Sequence, residues 1–529
     1  MCGEKEAAVF IRRSGSASSG AAGSLALCEG CARSRGIVAG KGRLEIRFEE
    51  LFAVNAPSES DSDSPVVCSY CGTDLASFLR DGRLGCPSCA DAFALRLLDR
   101  AGRGRPRQSA GSAARRTLRP KAMAPTVSDQ LRAAVEAEDY ERAAELRDAI
   151  ASKALAGDAI ASKALAGVPE DFPFGYPAFS LGEGAGDSGP EADVVLSTTA
   201  VAYRDLEGMP FPGAPRGCSG DYRTLLLERL LALPGWVAAD MGSLRSSARR
   251  ALAERALVPR SYSADPLSPL AACAVDGAYA LLGDEDHLRL RVRLPGLAPQ
   301  RSARLARSIA DKLGSGLAFA SRQGIGWVCA RAEDCGEALA VSATLHLPAL
   351  AATGLHQRLF RALMAEGLGV RGLYSEEEDS AGAVYEIVAE GRRAGPDAAA
   401  ALALAVEAAV AAERKARESV AEKGGEARLD LESRSLALAS GCRLLPAGEA
   451  SRMISALRLA ALSGRLRGAD AQVLGALLER LGAGSLALGA GLAEPPSGEA
   501  ELSLRAAAAR AAVSGAEYLP ARIGRCSKA

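Results

Sequence analysis

Two closely spaced cysteine pairs constrain the N-terminal part of this chain more than any other feature. Cys68 and Cys71 form the first pair, Cys86 and Cys89 form the second, and fourteen residues separate the two pairs. Two C-x-x-C turns at such a spacing can supply four thiolates to one tetrahedral zinc ion, and binding of that ion would contribute directly to folding. The spacing therefore predicts a structural zinc site formed by these four cysteines.

A third pair, Cys28 and Cys31, has no complete partner pair. Cys2 stands alone, and Lys5 occupies the position where a second cysteine would be expected. These three thiols predict a second zinc site that is either degraded or completed by another ligand. Paired cysteines of this kind are typical of metal binding in a reducing compartment, so we expect a cytoplasmic protein. The N-terminal residues lack the pattern of a signal peptide, and no apolar run of about 18 residues predicts a membrane span.

The length of 529 residues is too great for a single hydrophobic core, and composition divides the chain into segments. Lys plus Arg equals Asp plus Glu at 64 each, so no overall charge favours nucleic acid as a partner. The segments are a zinc-knuckle region at 1–100, an aromatic-free basic linker at 101–126, a helical hairpin at 127–167, a Gly- and Pro-rich connection at 169–190, a mixed strand and helix domain at 190–425, and a helical region at 426–529. A perfect ten-residue repeat at 148–167 fits a duplication within a tolerant tether.

One strand-like run places several charges close together. The sequence from Gly283 to Leu290 reads GDEDHLRL, which sets three carboxylates beside Arg289. Leucine and valine then alternate with arginine as far as Leu294, a pattern that predicts a half-buried strand. Fixed carboxylates beside a guanidinium suit a cationic substrate and a phosphate donor. His287 and His346 lie in alternating patterns and are interpreted as structural.

Several motifs resemble known families. The run from Glu138 to Ile150, EDYERAAELRDAI, resembles the UVR motif, a helical hairpin that contacts proteins. The runs GDEDHLRLRVRLPGL, LHLPAL and GVRGLYSE, which begin at Gly283, Leu345 and Gly369, resemble the phosphagen kinase (ATP:guanido phosphotransferase) family, and most closely its bacterial protein-arginine kinase branch. The zinc and UVR segments resemble the separate activator protein of that kinase. The chain is thus similar to an activator–kinase fusion.

This resemblance implies a fold and a set of site residues. The expected fold is multidomain α+β, with zinc knuckles, a UVR hairpin, a kinase-like domain whose antiparallel sheet is flanked by helices, and a helical C-terminal region. Glu285 and Glu376 match the glutamates that bind the guanidinium substrate. Arg204, Arg289 and Arg371 match nucleotide-binding arginines, which act with ATP and Mg²⁺.

The chain departs from the family at several of these positions. Thr199, Val201 and Ala340 stand where the family has phosphate-binding arginines, and Arg331 stands where it has a reactive cysteine. Arg331 is expected to compete with the substrate guanidinium for Glu285 and Glu376. The pattern predicts a kinase homologue with impaired catalysis that docks proteins in stress response or Clp-linked quality control. The alternative is an active ATP-dependent protein-arginine kinase with rearranged cations.

The expected partners are proteins: a Clp-type unfoldase, an arginine kinase paralogue, or protein substrates. In the C-terminal region the family carries an R-D-x-x-R-A motif that recognises phosphoarginine, and the matching stretch here keeps only Arg505 and Ala506. Recognition of phosphoarginine is therefore not expected there. The apolar helical faces of this region fit either core packing or a homodimer.

Overall fold

The computed structural model describes part of the chain, and its first unit contains two β-hairpins. In the unit Met1–Pro65, strand β1 (Val9–Arg12) pairs with β2 (Ser24–Leu27), and β3 (Ile37–Gly40) pairs with β4 (Arg43–Ile46). The remaining elements belong to the second unit, Val66–Ala529. The described residues are 9–12, 24–27, 37–40, 43–46, 66–94, 139, 141–142, 144–145, 172–176, 179, 189–215, 217–218, 221–374, 380–389, 397–423 and 425–519.

An eight-stranded antiparallel sheet forms the centre of the second unit. Its spatial order is β13-β14-β12-β5-β9-β8-β7-β6, so β5 and β9 lie in the middle. Two short pairs, β10 with β11 and β15 with β16, lie outside it. The strands are β5 (Val195–Arg204), β6 (Trp236–Asp240), β7 (Pro269–Cys273), β8 (Ala278–Leu282), β9 (Leu288–Pro295), β10 (Ser321–Arg322), β11 (Gly326–Trp327), β12 (Leu339–His346), β13 (Gly369–Gly372), β14 (Val384–Ala389), β15 (Leu466–Arg467) and β16 (Glu517–Tyr518).

Helices flank this sheet, which confirms the expected α+β architecture. In the described part of the chain they are α1 (Leu75–Asp81), α2 (Pro87–Ala92), α3 (Asp221–Leu231), α4 (Ser246–Glu254), α5 (Arg260–Ala264), α6 (Pro299–Gly314), α7 (Pro348–Ala352), α8 (His356–Ala365), α9 (Ala398–Lys423), α10 (Gly425–Gly441), α11 (Ala447–Leu462), α12 (Ala471–Leu478), α13 (Ala483–Gly489) and α14 (Glu499–Ala512). Among these helices, none combines the length and the apolar character needed to cross a bilayer.

Strand β9 has one apolar face and one basic face. Leu288, Leu290 and Val292 are fully buried in the core that includes residues of α6 and α9. The intervening arginines point to the other face, where the exposed fraction is only 8% for Arg289 and 5% for Arg293. The prediction of a half-buried strand is therefore wrong, because acidic partners and covering segments bury the basic face as well.

The connection predicted at 169–190 contains core residues. Phe172, Phe174, Tyr176 and Phe179 are all buried in a cluster with residues of α4, β7 and β8. The ring centroid of Phe179 lies 4.6 Å from that of Tyr279. For residues 172–179 the interpretation as a simple connection is wrong, since burial of four aromatic rings anchors this segment to the sheet.

Buried arginines hold the C-terminal helices together and join them to the segment that precedes β5. The guanidinium of Arg458 in α11 donates hydrogen bonds to the carbonyl oxygens of Ala192 and Asp193, at 2.9 and 3.1 Å. Arg505 in α14 donates to the carbonyl oxygens of Leu481 and Leu445, at 2.7 and 3.0 Å. These contacts favour core packing for this region, and a homodimer stays a prediction. They also occupy the guanidinium of Arg505 with backbone acceptors.

Both predicted structural histidines are buried and hydrogen bonded, which confirms that interpretation. His287 contacts Asp205 Oδ1 through Nδ1 at 2.8 Å and the Pro210 carbonyl through Nε2 at 3.0 Å. His346 accepts a hydrogen bond from Arg458 at Nδ1, 2.7 Å away, so its proton lies on Nε2 and is donated to Ser455. Each ring is fully buried.

The neutral state of His346 predicts a pH dependence of stability. Burial, and then the neighbouring Arg458, hold the pKa of His346 well below its usual value. Below about pH 6.5 only the unfolded chain binds this proton, so the stability contribution is present above that pH and is lost as the pH falls. Between pH 7 and pH 5 we expect the His346 ring to account for a loss of about 2 kcal/mol.

Urea unfolding at the two pH values measures this effect when the wild type is compared with His346→Gln. The free energy of unfolding should fall more steeply with acid in the wild type. His287, whose pKa burial lowers to about 4, contributes equally to both proteins and cancels. Equal pH dependence in the two proteins would contradict the prediction.

Candidate functional site

The four predicted zinc ligands converge in the described structure. Sγ of Cys68 lies 3.6 Å from Sγ of Cys86, Sγ of Cys71 lies 3.3 Å from Sγ of Cys89, and 3.7 Å separates the Sγ atoms of Cys86 and Cys89. A tetrahedral zinc ion with bonds of about 2.3 Å places its sulfur ligands about 3.8 Å apart. All four thiols are buried, with exposed fractions of 0–2%. The donor set and its spacing therefore fit a structural zinc ion.

Tight turns shape the zinc module, by which we mean residues 66–94. The backbone N–H of Cys68 donates to the Thr73 carbonyl at 2.8 Å, which closes the first cysteine turn. Gly82 caps the C-terminal end of helix α1, and its φ of 71° favours glycine. A Cβ at Gly85 would lie 2.0 Å from Thr73 Oγ1 and 2.7 Å from Cys71 Sγ, so only glycine fits beside the metal ligands.

The zinc module packs on the basic face of the sheet. Its rings Phe78 and Phe93 stack at 5.4 Å and share a core with Val201 and Tyr203 of β5 and Ala340 of β12. The module also forms backbone hydrogen bonds with the rest of the unit. These run from Leu84 N to the Ala330 carbonyl at 2.7 Å, from Ala332 N to the Gly82 carbonyl at 2.9 Å, and from Phe211 N to the Gly85 carbonyl at 2.8 Å.

A charged cavity of about 380 Å³ opens where the zinc module meets the sheet. Its charged lining consists of Arg83, Asp284, Glu285, Arg289 and Arg331. Glu285 follows strand β8 and precedes β9, so the predicted substrate glutamate lies in the connection between two neighbouring strands of the sheet. We call the cavity lined by these five residues the acceptor pocket.

Arg289 is held by acidic side chains of its own loop. Its guanidinium bonds to Asp284 at 2.5 Å, to Glu285 at 2.9 Å and to Asp286 at 3.4 Å. Burial alone would lower the pKa of Arg289, but the carboxylates, led by Asp286, raise it above its ordinary value. The predicted nucleotide-binding cation is thus balanced by three carboxylates in the pocket.

Two buried carboxyl groups lie behind the pocket. Asp205 Oδ1 accepts from the backbone N–H of His287 at 2.9 Å, and Asp286 Oδ1 accepts from the N–H of Ala330 at 2.8 Å. Burial raises the pKa of Asp205 to about 7, and burial followed by the charge of Asp205 raises the pKa of Asp286. The hydrogen bond to Asp286 holds the Ala330 segment beside the loop that carries Glu285.

Arg331 lines the acceptor pocket but pairs within its own loop. Its guanidinium contacts the carboxylate of Glu333 and lies 3.9 Å from that of Asp334. The expectation that Arg331 competes for Glu285 is therefore wrong in the described structure, because closer local carboxylates neutralise it. The partner of Glu285, besides Arg289, is Arg83 of the zinc module.

The other predicted nucleotide residues lie apart from the pocket. Arg204 is 3% exposed, its guanidinium stacks 4.4 Å from the Trp327 ring, and burial lowers its pKa. Arg371 on β13 is largely exposed and pairs with Glu386 of β14. Of the predicted site, the structure thus brings Glu285 and Arg289 together and places Arg204 and Arg371 elsewhere.

Several predicted residues lie outside the described part of the chain. They are Glu376, Cys2, Cys28 and Cys31, together with the basic linker, the repeat at 148–167 and most of the UVR-like hairpin. Of that hairpin, Arg142 and Glu145 are described, and their side chains pair at 2.7 Å with helical spacing.

Sequence reasoning missed two arginines on β9. In the strand register, Arg291 lies opposite Val201 and Arg293 lies opposite Thr199, the two positions where phosphate arginines were expected. Arg293 bonds to Glu479 at 2.8 Å, and Arg291 donates to the Leu257 carbonyl at 3.2 Å. The alternation LRLRVRL carried the signal, because residues two apart on a strand share a face.

Comparisons with known proteins match the chain in three consecutive parts. Residues 66–103 match the McsA central zinc-finger domain, residues 121–153 match the UvrB/uvrC motif, and residues 243–403 match the C-terminal catalytic domain of ATP:guanido phosphotransferases. These matches occur in the order that the sequence predicted.

Curated relatives carry the name protein-arginine kinase. The one from Symbiobacterium thermophilum is 31% identical over 309 residues, which cover 55% of this chain and 85% of the relative. The one from Moorella thermoacetica is 31% identical over 308 residues, with 56% and 87% covered. The one from Bacillus subtilis is 25% identical over 302 residues, with 55% and 82% covered.

Proposed function

The chain belongs to the protein-arginine kinase family, fused to zinc-finger and UVR modules, and from this premise we propose a member with impaired phosphoryl transfer that acts by docking proteins. Glu285 and Glu376 would bind a guanidinium group. Binding of ATP would be weak. The observation that carries the proposal is that each candidate phosphate-binding arginine, namely Arg204, Arg289 and Arg371, already has another partner.

Phosphoryl transfer depends on free cations placed around the triphosphate. The protein contributes mainly positioning and charge stabilisation, through arginines and Mg²⁺. A charge-assisted hydrogen bond contributes about 1.5–3 kcal/mol, so the residues Thr199, Val201 and Ala340 in place of arginine would remove roughly 5–9 kcal/mol. Since each 1.4 kcal/mol or so is tenfold in rate, the loss corresponds to several orders of magnitude.

Docking is the function that remains when transfer is weak. The zinc module exposes apolar side chains, with exposed fractions of 53% for Val66, 43% for Val67 and 48% for Leu79. Apolar groups on a small module favour contact with another protein. We propose a Clp-type unfoldase as the partner, within stress response and protein quality control. An arginine kinase paralogue and arginine-containing substrates are the other protein partners to test.

Addition of Mg-ATP should barely change the melting temperature of the full chain. We expect a shift of less than about 1 °C at 1 mM nucleotide, relative to Mg²⁺ alone, because a ligand stabilises in proportion to ln(1 + [L]/Kd). A dissociation constant of 10 µM would instead contribute about 2.7 kcal/mol, which corresponds to a clear shift. Micromolar binding of Mg-ATP would contradict this proposal, and phosphoarginine on a test protein, detected by mass spectrometry, would establish an active kinase.

An active protein-arginine kinase is the second candidate, and one observation favours it. Arg291 and Arg293 lie directly across from Val201 and Thr199, so two cations lie on the neighbouring strand, on the same face. Arg293 would then have to exchange Glu479 for phosphate. Under this candidate Arg291→Ala weakens Mg-ATP binding. The comparison variant is Arg371→Ala on the exposed strand β13, because Arg371 is the position that matches the family. The two variants together show which strand contributes to nucleotide binding.

A further inference from the structure

The acceptor pocket already contains a guanidinium group that belongs to the chain itself. Arg83 lies in the zinc module, and its terminal nitrogen forms an ion pair with Oε1 of Glu285. The other oxygen of Glu285, Oε2, accepts from Arg289 at 2.9 Å. Both oxygens of the candidate substrate glutamate are therefore engaged, one by the loop that carries it and the other by the zinc module.

The backbone around Arg83 is bound in the manner of an extended peptide. Arg83 and Arg331 form an antiparallel bridge, flanked by the hydrogen bonds from Leu84 N to the Ala330 carbonyl and from Ala332 N to the Gly82 carbonyl. Addition of a strand to a free backbone edge is a general way to bind a peptide, with affinity from the main chain and specificity from the side chains. Here the specificity-determining side chain is an arginine.

The cysteine cluster holds the backbone segment that carries this arginine. Residues 82–85 join helix α1 to Cys86, and Gly85 packs against Cys71 Sγ and Thr73. Leu84 is 4% exposed and anchors the segment beside the side chain of Arg83. The side chain of Arg83 is 61% exposed and that of Glu285 is 29% exposed, so solvent and other molecules can reach this ion pair.

We propose that the 82–85 turn of the zinc module is an internal pseudosubstrate, in which Arg83 takes the place of an incoming arginine side chain on Glu285. The inference rests on the proposed role of Glu285 as a guanidinium-binding residue. It adds regulation to that site: a protein presenting arginine must displace Arg83, and a partner that lifts the zinc module off residues 330–332 would open the pocket.

The expected size of the competition depends on exposure. An ion pair as exposed as this one changes an equilibrium constant by about fivefold at most. Because Arg83 is tethered, it competes at an effective concentration that a free peptide must exceed. The internal arginine therefore reduces the affinity of the pocket and leaves it accessible.

Titration calorimetry on the full chain, without nucleotide, tests the proposal. The probe is the blocked tetrapeptide Gly-Arg-Leu-Gly, which has the sequence of residues 82–85. We expect Arg83→Ala to bind it about three- to fivefold more tightly than the wild type. Arg83→Gln is a second variant that retains side-chain bulk, and zinc content confirms that each variant keeps its module folded.

A matched control is available on the same module. Arg80 is 70% exposed and pairs with its neighbour Asp81, so Arg80→Ala should bind the peptide like the wild type. Glu285→Gln should lose most of the binding in either background. Equal affinity in the wild type and both Arg83 variants would overturn the proposal, as would weaker binding or no measurable binding by the Arg83 variants.

These outcomes are separate from those that test the proposed function. The peptide titration contains no ATP, so a finding of Mg-ATP binding and phosphoarginine formation would reject impaired transfer and leave the Arg83 comparison intact. Conversely, unchanged peptide affinity in the Arg83 variants would reject the pseudosubstrate alone.

Discussion

Replacement of Cys86 by serine is expected to unfold the zinc module while the sheet domain stays folded. A structural zinc ion bound by four thiolates contributes on the order of 10 kcal/mol or more to the folding of a small module. The module's own core is small and consists of the four cysteines and a few side chains such as Phe78 and Phe93, so its packing on the sheet is not expected to keep it folded without the metal. Loss of one ligand should release roughly one zinc ion per chain.

Metal analysis, limited proteolysis and thermal unfolding measure this result. Cleavage should appear within residues 66–94, and the melting temperature should fall because Val201 and Tyr203 of β5 lose their cover. Cys442→Ser is the matched control, because Cys442 is partly buried just after α10 and packs on a core separate from that of the four cysteines. A Cys86→Ser protein that retains its zinc and resists protease would show that the four thiols do not hold the module together.

Glu479→Ala should destabilise the second unit by about 3–5 kcal/mol, the cost of leaving a buried charge without its partner. Glu479 accepts two hydrogen bonds from Arg293 at 2.8 and 3.0 Å, and both side chains are about 95% buried. The pair joins the C-terminal helices to the centre of the sheet. Loss of the Glu479 carboxylate would leave the guanidinium of Arg293 beside that of Arg255, which is also buried.

Urea unfolding of the full chain measures this change, with Glu494→Ala as an exposed control that should shift the free energy of unfolding by less than about 0.5 kcal/mol. Glu479→Gln keeps the hydrogen-bond acceptor and removes the charge, so its effect should lie between those of the other two variants. A loss below about 1 kcal/mol for Glu479→Ala would mean that solvent reaches Arg293 and that the ion pair is not the link.

Local patterns predicted those parts of the site that short segments of chain determine. The spacing of Cys68, Cys71, Cys86 and Cys89 fixes two turns, and two such turns need only approach each other to form the cluster. The alternation after His287 correctly predicted strand β9, because successive side chains in a strand point to opposite faces of the sheet. The structural role of the two histidines followed from the alternating patterns of their own segments.

Contacts between distant segments could not be predicted in this way. Arg83 and Glu285 are 202 residues apart, and Arg293 and Glu479 are 186 residues apart, so only the packed structure brings each pair together. Arg331 was expected to contact Glu285, but it pairs with Glu333, its near neighbour in sequence. An arginine with a carboxylate two residues away pairs locally at little entropic cost.

The contact of the 82–85 turn with residues 330–332 joins two parts of one polypeptide, so its equilibrium is unimolecular. Dilution leaves such an equilibrium unchanged, whereas two separate chains bound through the same surface would dissociate as their concentration falls. The fraction of molecules with an occupied pocket is therefore independent of expression level. Fusion thus fixes a one-to-one stoichiometry between regulator and regulated domain.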